Sequence, residues 1–205
     1  MKLVLFVEGH TERALPELFK RWLDPQLSRP IGIKVVRFEG WRDYYDEIAK
    51  KVALNLSGKA GADVVGAVGL LDLYGPTFYP PDRLTAAERY TWARAHIEQK
   101  VNHPRFRQHF AVHETEAWLL SQPAILPAPV RDALPGKCAR PETVNFDEPP
   151  AKLLDRLYAQ KLRTRYKKVI DGKNLFSRLD PEVALSKCPM LKSMLGDMLE
   201  LARSA

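Results

Sequence analysis

Four apolar runs, each followed by a stretch with helical spacing or a turn, constrain the fold of this chain more than any other feature. The runs are Lys2 to Val7, Ile31 to Phe38, Asp63 to Asp72 and Phe106 to His113. Helical patterns occupy Glu12 to Leu23, Trp41 to Leu56 and Thr85 to Val101 between them. Strands alternating with helices build βαβ units, which place the strands in a mostly parallel sheet. The runs are nearly continuous in apolar residues, as strands are when helices cover both faces. The fourth is the exception: RFRQHFAVH alternates, which predicts an edge strand or an antiparallel one.

After Glu114 the character changes. TEAWLLSQ begins a helix, and PAILPAPVRDALPGKCARPETVNFDEPP is rich in proline and has no sustained period, so it reads as a loop with one or two short helical turns. Helical spacing returns in AKLLDRLYAQKLRTRYKKVI and in PMLKSMLGDMLELARS. The expectation is an α/β fold, a mostly parallel sheet flanked by helices, with a C-terminal helical extension. One domain spans residues 1–205, with an α/β core over 1–122 and the proline-rich loop and helical extension over 123–205. A length of 205 residues and an apolar content of 45% suit a single core of that size.

No apolar run approaches the roughly 18 residues needed to span a bilayer. Met1-Lys2 leads directly into a strand with no cleavage site, so no signal peptide is expected. Only Cys138 and Cys188 are present, far apart, which fits a reducing cytoplasm and no structural disulfide. A net charge of +7 permits phosphate-rich partners without establishing them. Familiar signatures are missing: there is no Walker A loop, no G-x-G-x-x-G and no G-x-S-x-G. HETEA carries Ala117 where a zinc-protease helix needs its second histidine.

What remains is a set of carboxylates at strand ends. Glu8 closes the first strand and Glu12 opens the following helix; Asp72 closes the third, and Glu114 and Glu116 follow the fourth. In open α/β sheets, ligands bind at the carboxyl ends of the strands. Converging carboxylates repel unless something compensates them, and Mg²⁺ or Mn²⁺ does so with oxygen ligands. The same residues also suit structural duties. Glu12, Glu114 and Glu116 favour first helical turns, Asp72 caps a loop, and His113 packs in a strand.

These residues carry a resemblance. FVEGHTE followed by LLDLYG resembles the Toprim fold of topoisomerases, bacterial primases and overcoming-lysogenization-defect nucleases. The chain is more closely similar to a Toprim-like bacterial family, often encoded beside ATPases in mobile or phage-defence loci. That family pairs V-E-G-x-T-E, D-x-Y-G, H-E-x-E-A and Y-x-K-x-x-D-G, here starting at Val7, Asp72, His113 and Tyr166. The resemblance implies Mg²⁺ bound by Glu8, Asp72 and an acid from Glu114 or Glu116, with Glu12 nearby, and hydrolysis of nucleic-acid phosphodiesters. Glu8 is either a metal ligand or the general base. The chain departs from the wider Toprim pattern at Tyr74, which stands where the second Asp of Asp-x-Asp belongs.

KLRTRYKK is the remaining feature: a solvated helix face, or a patch in which Lys161, Arg163, Arg165 and Lys167 track phosphates and Lys168 steadies the scissile group. The functional expectation is a metal-dependent nuclease, acting on DNA or RNA, with an ATPase as protein partner. The alternative is a non-catalytic module that docks on an ATPase and binds nucleic acid or a nucleotide, a reading that Tyr74 favours. A third is hydrolysis of a small phosphorylated substrate.

Overall fold

A computed structural model describes residues 1–9, 14–142 and 148–204. Four strands, β1 (Lys2–Glu8), β2 (Gly32–Phe38), β3 (Val64–Asp72) and β4 (Phe106–Ala111), form one sheet in the order β2-β1-β3-β4. All three pairings are parallel. β4 is thus an edge strand, as its alternation allows, and it runs parallel. Its polar side chains Gln108 and His109 are buried and satisfied inside the protein, by the Tyr44 hydroxyl and by Tyr90 and Asp197.

The crossovers are α1 (Leu15–Leu23) between β1 and β2, α2 (Trp41–Leu56) and α3 (Gly58–Gly61) between β2 and β3, and α4 (Ala86–Val101) between β3 and β4. The start expected for the first helix, at Glu12, lies outside the described residues. α4 begins where the sequence signals it. In T-x-x-E, the Thr85 hydroxyl accepts the Glu88 N–H and the Glu88 carboxylate accepts the Thr85 N–H, a capping box.

Side chains alternate across the sheet and divide the core in two. Leu3, Leu5 and Val7 face a layer with α1 and the later helices, whereas Val4 and Phe6 face α2 and α4. The later helices are α5 (Glu116–Leu120), α6 (Ala128–Arg131), α7 (Pro150–Leu162), α8 (Lys173–Arg178), α9 (Pro181–Lys187) and α10 (Pro189–Arg203). The expected loop between α5 and α7 holds α6 and two short 3₁₀ turns, Pro123–Ile125 and Gly136–Ala139. α10 lies directly on β3: a Cβ at Gly66 would come within 2.8 Å of the Leu201 side chain, so a glycine there lets helix and strand meet. Cys138 and Cys188 are buried free thiols.

One expected helix is shorter than its spacing indicates. α7 stops at Leu162, Arg163 takes a left-handed conformation at φ 54°, and a π-helical turn spans Lys168–Gly172. The cause is Tyr166, which turns into the core beside Tyr158, with ring centroids 5.5 Å apart. Burying that ring outweighs continuing a polar helix into solvent.

Candidate functional site

β1 connects through α1 to β2 on one side, and β3 lies on its other side. The strand order therefore reverses between β1 and β3, and a crevice opens there beyond the carboxyl ends of the strands. Glu8 and Asp72 are the last residues of those two adjacent strands.

Glu8 is half-buried under the turn that starts α2. Gly40 there has φ 105°, and a Cβ built on it would stand 4.0 Å from the Glu8 carboxylate. The Trp41 N–H, first in α2, donates to that carboxylate. Desolvation raises the Glu8 pKa above its ordinary value, against the opposing pull of the Trp41 N–H and of Lys168.

Asp72 accepts the backbone N–H of Thr115 at 3.1 Å, which draws the segment after β4 across to the end of β3. The turn passes through His113, held at φ 66°, whose carbonyl accepts the Tyr74 N–H at 3.1 Å. Glu114 and Glu116 are thereby delivered to the same end of the sheet. Glu116 is fully buried, and the Glu114 side chain is 14% exposed with one oxygen bound by the Ala151 N–H at 2.9 Å, at the start of α7.

Lys168 joins these acids. Its ammonium is 3.3 Å from a Glu116 oxygen and 3.5 Å from a Glu114 oxygen. Desolvation lowers the Lys168 pKa, but Glu116, Glu114 and Asp72 together outweigh it and leave the ammonium above its usual value. Glu8 feels the same charge. Among the described residues, Lys168 is thus the common cationic neighbour of Glu8, Asp72, Glu114 and Glu116. Burial raises the Glu116 pKa, and Glu114 raises it further, against Lys168.

The donors suit a hard divalent cation in kind: they are carboxylate oxygens. The Glu116 oxygen facing Lys168 is buried with no hydrogen-bond partner of good geometry, although the ammonium is within ion-pair reach, and the buried Tyr166 hydroxyl is equally unpaired. In arrangement, no group of three His, Cys, Asp or Glu stands ready to hold a metal among the described residues. The ammonium lies between the Glu114 and Glu116 oxygens that a cation would use.

Of the residues singled out in the sequence, Glu8, Asp72, Glu114, Glu116 and Lys168 come together, and Glu12 lies outside the described residues. Tyr74 is 57% exposed and turned to solvent. The basic residues do not share a helix face. Lys161 lies in the last turn of α7, Arg163 is its left-handed cap, Lys167 lies in the extended connection, and Arg165 makes a bidentate ion pair with Asp155. That pairing neutralises one of the four charges expected to track phosphates. Replacing Lys161, Arg163 and Lys167 with alanine is expected to lower the salt slope of duplex DNA binding by up to about three, and adding Arg165→Ala should lower it little further. A slope measured from 50 to 200 mM salt that stays unchanged would place phosphates elsewhere.

Sequence reasoning missed two contributors. Trp41 serves through its backbone, which no side-chain pattern signals. Glu142 lies in the stretch without periodicity. It is buried and accepts the Trp118 indole N–H at 3.0 Å, the Met190 N–H at 2.6 Å and the Leu191 N–H at 3.2 Å. Its proline-rich neighbourhood carried no signal that would have found it.

Among the described residues, no helix is long and apolar enough to cross a membrane. No curated protein matches the chain at a significant level. One solved structure that it resembles is the C-terminal region of the Burkholderia pseudomallei OLD protein, with 17% identity over 98% of this chain and 97% of that one and a TM-score of 0.49. The profile of one family matches residues 7–199, nearly the whole sequence, so the chain belongs to the family described as a domain of unknown function, DUF4276.

Proposed function

We propose that this protein hydrolyses phosphodiester bonds of nucleic acid with the help of Mg²⁺ or Mn²⁺ at the carboxyl ends of β1 and β3. The observation that carries this reading is Lys168, a single ammonium set among the acids of three strand ends. Glu8, Asp72, Glu114 and Glu116 would hold the cation, which supplies Lewis acidity and neutralises phosphate charge when bound. Glu8, with its raised pKa, is suited to take a proton from attacking water. Lys168 stabilises charge gathering on the phosphate. The Trp41 N–H fixes the Glu8 carboxylate and the Thr115 N–H fixes that of Asp72, so neither acid has to be ordered when substrate arrives.

Glu8→Gln and Asp72→Asn are each expected to abolish the rise in melting temperature that Mn²⁺ gives the wild type, because a ligand bound only by the native state stabilises it. They should melt at or above wild type in EDTA, where acid repulsion is relieved. Plasmid and single-stranded RNA incubated with Mn²⁺ provide the activity readout. Cleavage that survives Glu8→Gln would belong to a contaminant, and strong destabilisation of both variants in EDTA would make these acids structural. Glu116→Gln should impair more than Glu114→Gln, since Glu116 is the more buried and has an oxygen without a hydrogen bond.

A second reading rests on Tyr74. With an exposed tyrosine in place of an acid, and with Val169 and Ile170 exposed by 61% and 56% beside Lys168, the same end of the sheet suits a non-catalytic module that docks on an ATPase partner and binds nucleic acid or nucleotide. No cleavage by wild type under any condition, with partner binding retained, would favour it.

A further inference from the structure

Beside the acids, and separate from them, a cleft of about 550 Å³ opens between the start of α4, the end of β4 and the start of α10. Its walls are mostly apolar, from Ala86, Ala87, Val112, Pro189 and Met190, and its polar groups are few: Thr85, Thr91, His113 and Glu142. That volume and lining are those of a small-molecule site rather than a packing defect. A smaller recess adjoins it, lined by Tyr74, Leu84, Arg89 and His113. His113 borders both, and it directly precedes Glu114, so recess and cleft lead away from the acids along one side of β4.

We propose that the cleft takes one unpaired nucleobase of a single-stranded nucleic acid, with the adjoining backbone phosphate in the Arg89 recess; this rests on the hydrolase reading above and names its substrate class. Three features select that occupant. A nucleobase has broad apolar faces and a polar edge, matching apolar walls with a polar end. The carboxylate of Glu142 offers about four lone-pair sites. Three are taken by Trp118, Met190 and Leu191, which leaves one for a base edge. The recess between cleft and acids carries the Arg89 guanidinium, and the chain as a whole has a net charge of +7, so a polyanion is the complementary ligand. A base inside a duplex is stacked and paired and enters a cleft only by being flipped out against that cost, which a single strand does not pay. The favoured substrate class is therefore single-stranded.

Fluorescently labelled single strands and a hairpin duplex of the same composition, titrated in EDTA so that nothing is cleaved, test this. Ala87→Trp fills the cleft from an exposed position on α4, and Arg89→Ala removes the recess cation. Filling the cleft removes the apolar burial of one base, so Ala87→Trp should weaken single-strand binding by about fivefold or more, and Arg89→Ala by several-fold. Circular dichroism should report unchanged folding, and the weaker duplex binding should not respond to Ala87→Trp. A duplex bound as tightly as the single strand, single-strand binding indifferent to Ala87→Trp, or no single-strand binding at all overturns the proposal. Failure of the hydrolase reading looks different: cleft-dependent single-strand binding in EDTA would persist while Mn²⁺ produced no cleavage. Glu8-dependent cleavage of duplex and single strand alike, unmoved by Ala87→Trp, would sink the cleft alone.

Discussion

If the proposed hydrolase reading holds, Lys168→Met is expected to slow hydrolysis by roughly a hundredfold and, in the same protein, to increase the stabilisation that Mn²⁺ confers. The two effects have one origin. The ammonium lies 3.3 Å and 3.5 Å from the Glu116 and Glu114 oxygens that a divalent cation would use, so lysine and metal compete for them. A metal held by these oxygens would displace the lysine, whose side chain would then be available to the phosphate. Removing the ammonium therefore costs charge stabilisation in the transition state but frees the carboxylates. Thermal shift against Mn²⁺ concentration reads the second effect without any turnover. In EDTA the variant should melt below wild type, because buried Glu116 loses its partner. Loss of rate with an unchanged Mn²⁺ response would mean that Lys168 serves the phosphate alone.

The second large effect concerns Glu142 and pH. Burial pushes its pKa up from 4.5 to about 7, even though the Met190, Trp118 and Leu191 N–H groups favour the ionised form. Between those values the folded protein binds more protons than the unfolded chain, so stability falls as pH rises from about 4.5 to about 7. A tenfold change in proton affinity corresponds to ~1.4 kcal/mol, so this one carboxyl costs up to about 3 kcal/mol by neutral pH. Glu142→Gln removes the titration and keeps an acceptor for two of the three donors. Urea unfolding at pH 5 and pH 7.5 should show a smaller difference for the variant than for wild type. Glu8 and Glu116, also raised, act in the same direction in both proteins and drop out of the comparison. Equal pH differences would mean that Glu142 is ionised throughout.

The parts of the architecture visible in the sequence are those that local chemistry decides. Near-continuous apolar runs located β1 and β3, whose residues are buried on both faces, and alternation located β4 at the edge, while helical spacing from Thr85 located α4. Acids placed directly after apolar runs, as in Leu3 to Glu8 and Val64 to Asp72, identified the strand ends, and strand ends decide where a site can be. What stayed hidden depends on distant partners. Helical spacing continues through Arg163, yet the helix stops because Tyr166 finds a place beside Tyr158. Charge counting made Arg165 a phosphate contact, although Asp155, ten residues earlier in sequence, already binds it. Lys168 was singled out for the phosphate, but its pairing with Glu114 and Glu116 exists only once α5 and the π-helical turn have met.

The contact between Gly66 and Leu201 has a bearing on how this protein is made. β3 is synthesised more than a hundred residues before α10, so the face of the sheet that receives Leu201 stays open to water while the intervening chain is translated. Lys168 and the N–H groups of Met190 and Leu191 that hold Glu142 arrive late as well. The acids at the strand ends consequently exist for a time without their cation, and Glu142 without two of its donors. A nascent chain stalled before Lys168 would carry an exposed apolar sheet face and an unneutralised cluster of carboxylates, a species for chaperones to hold rather than one that can act on a substrate.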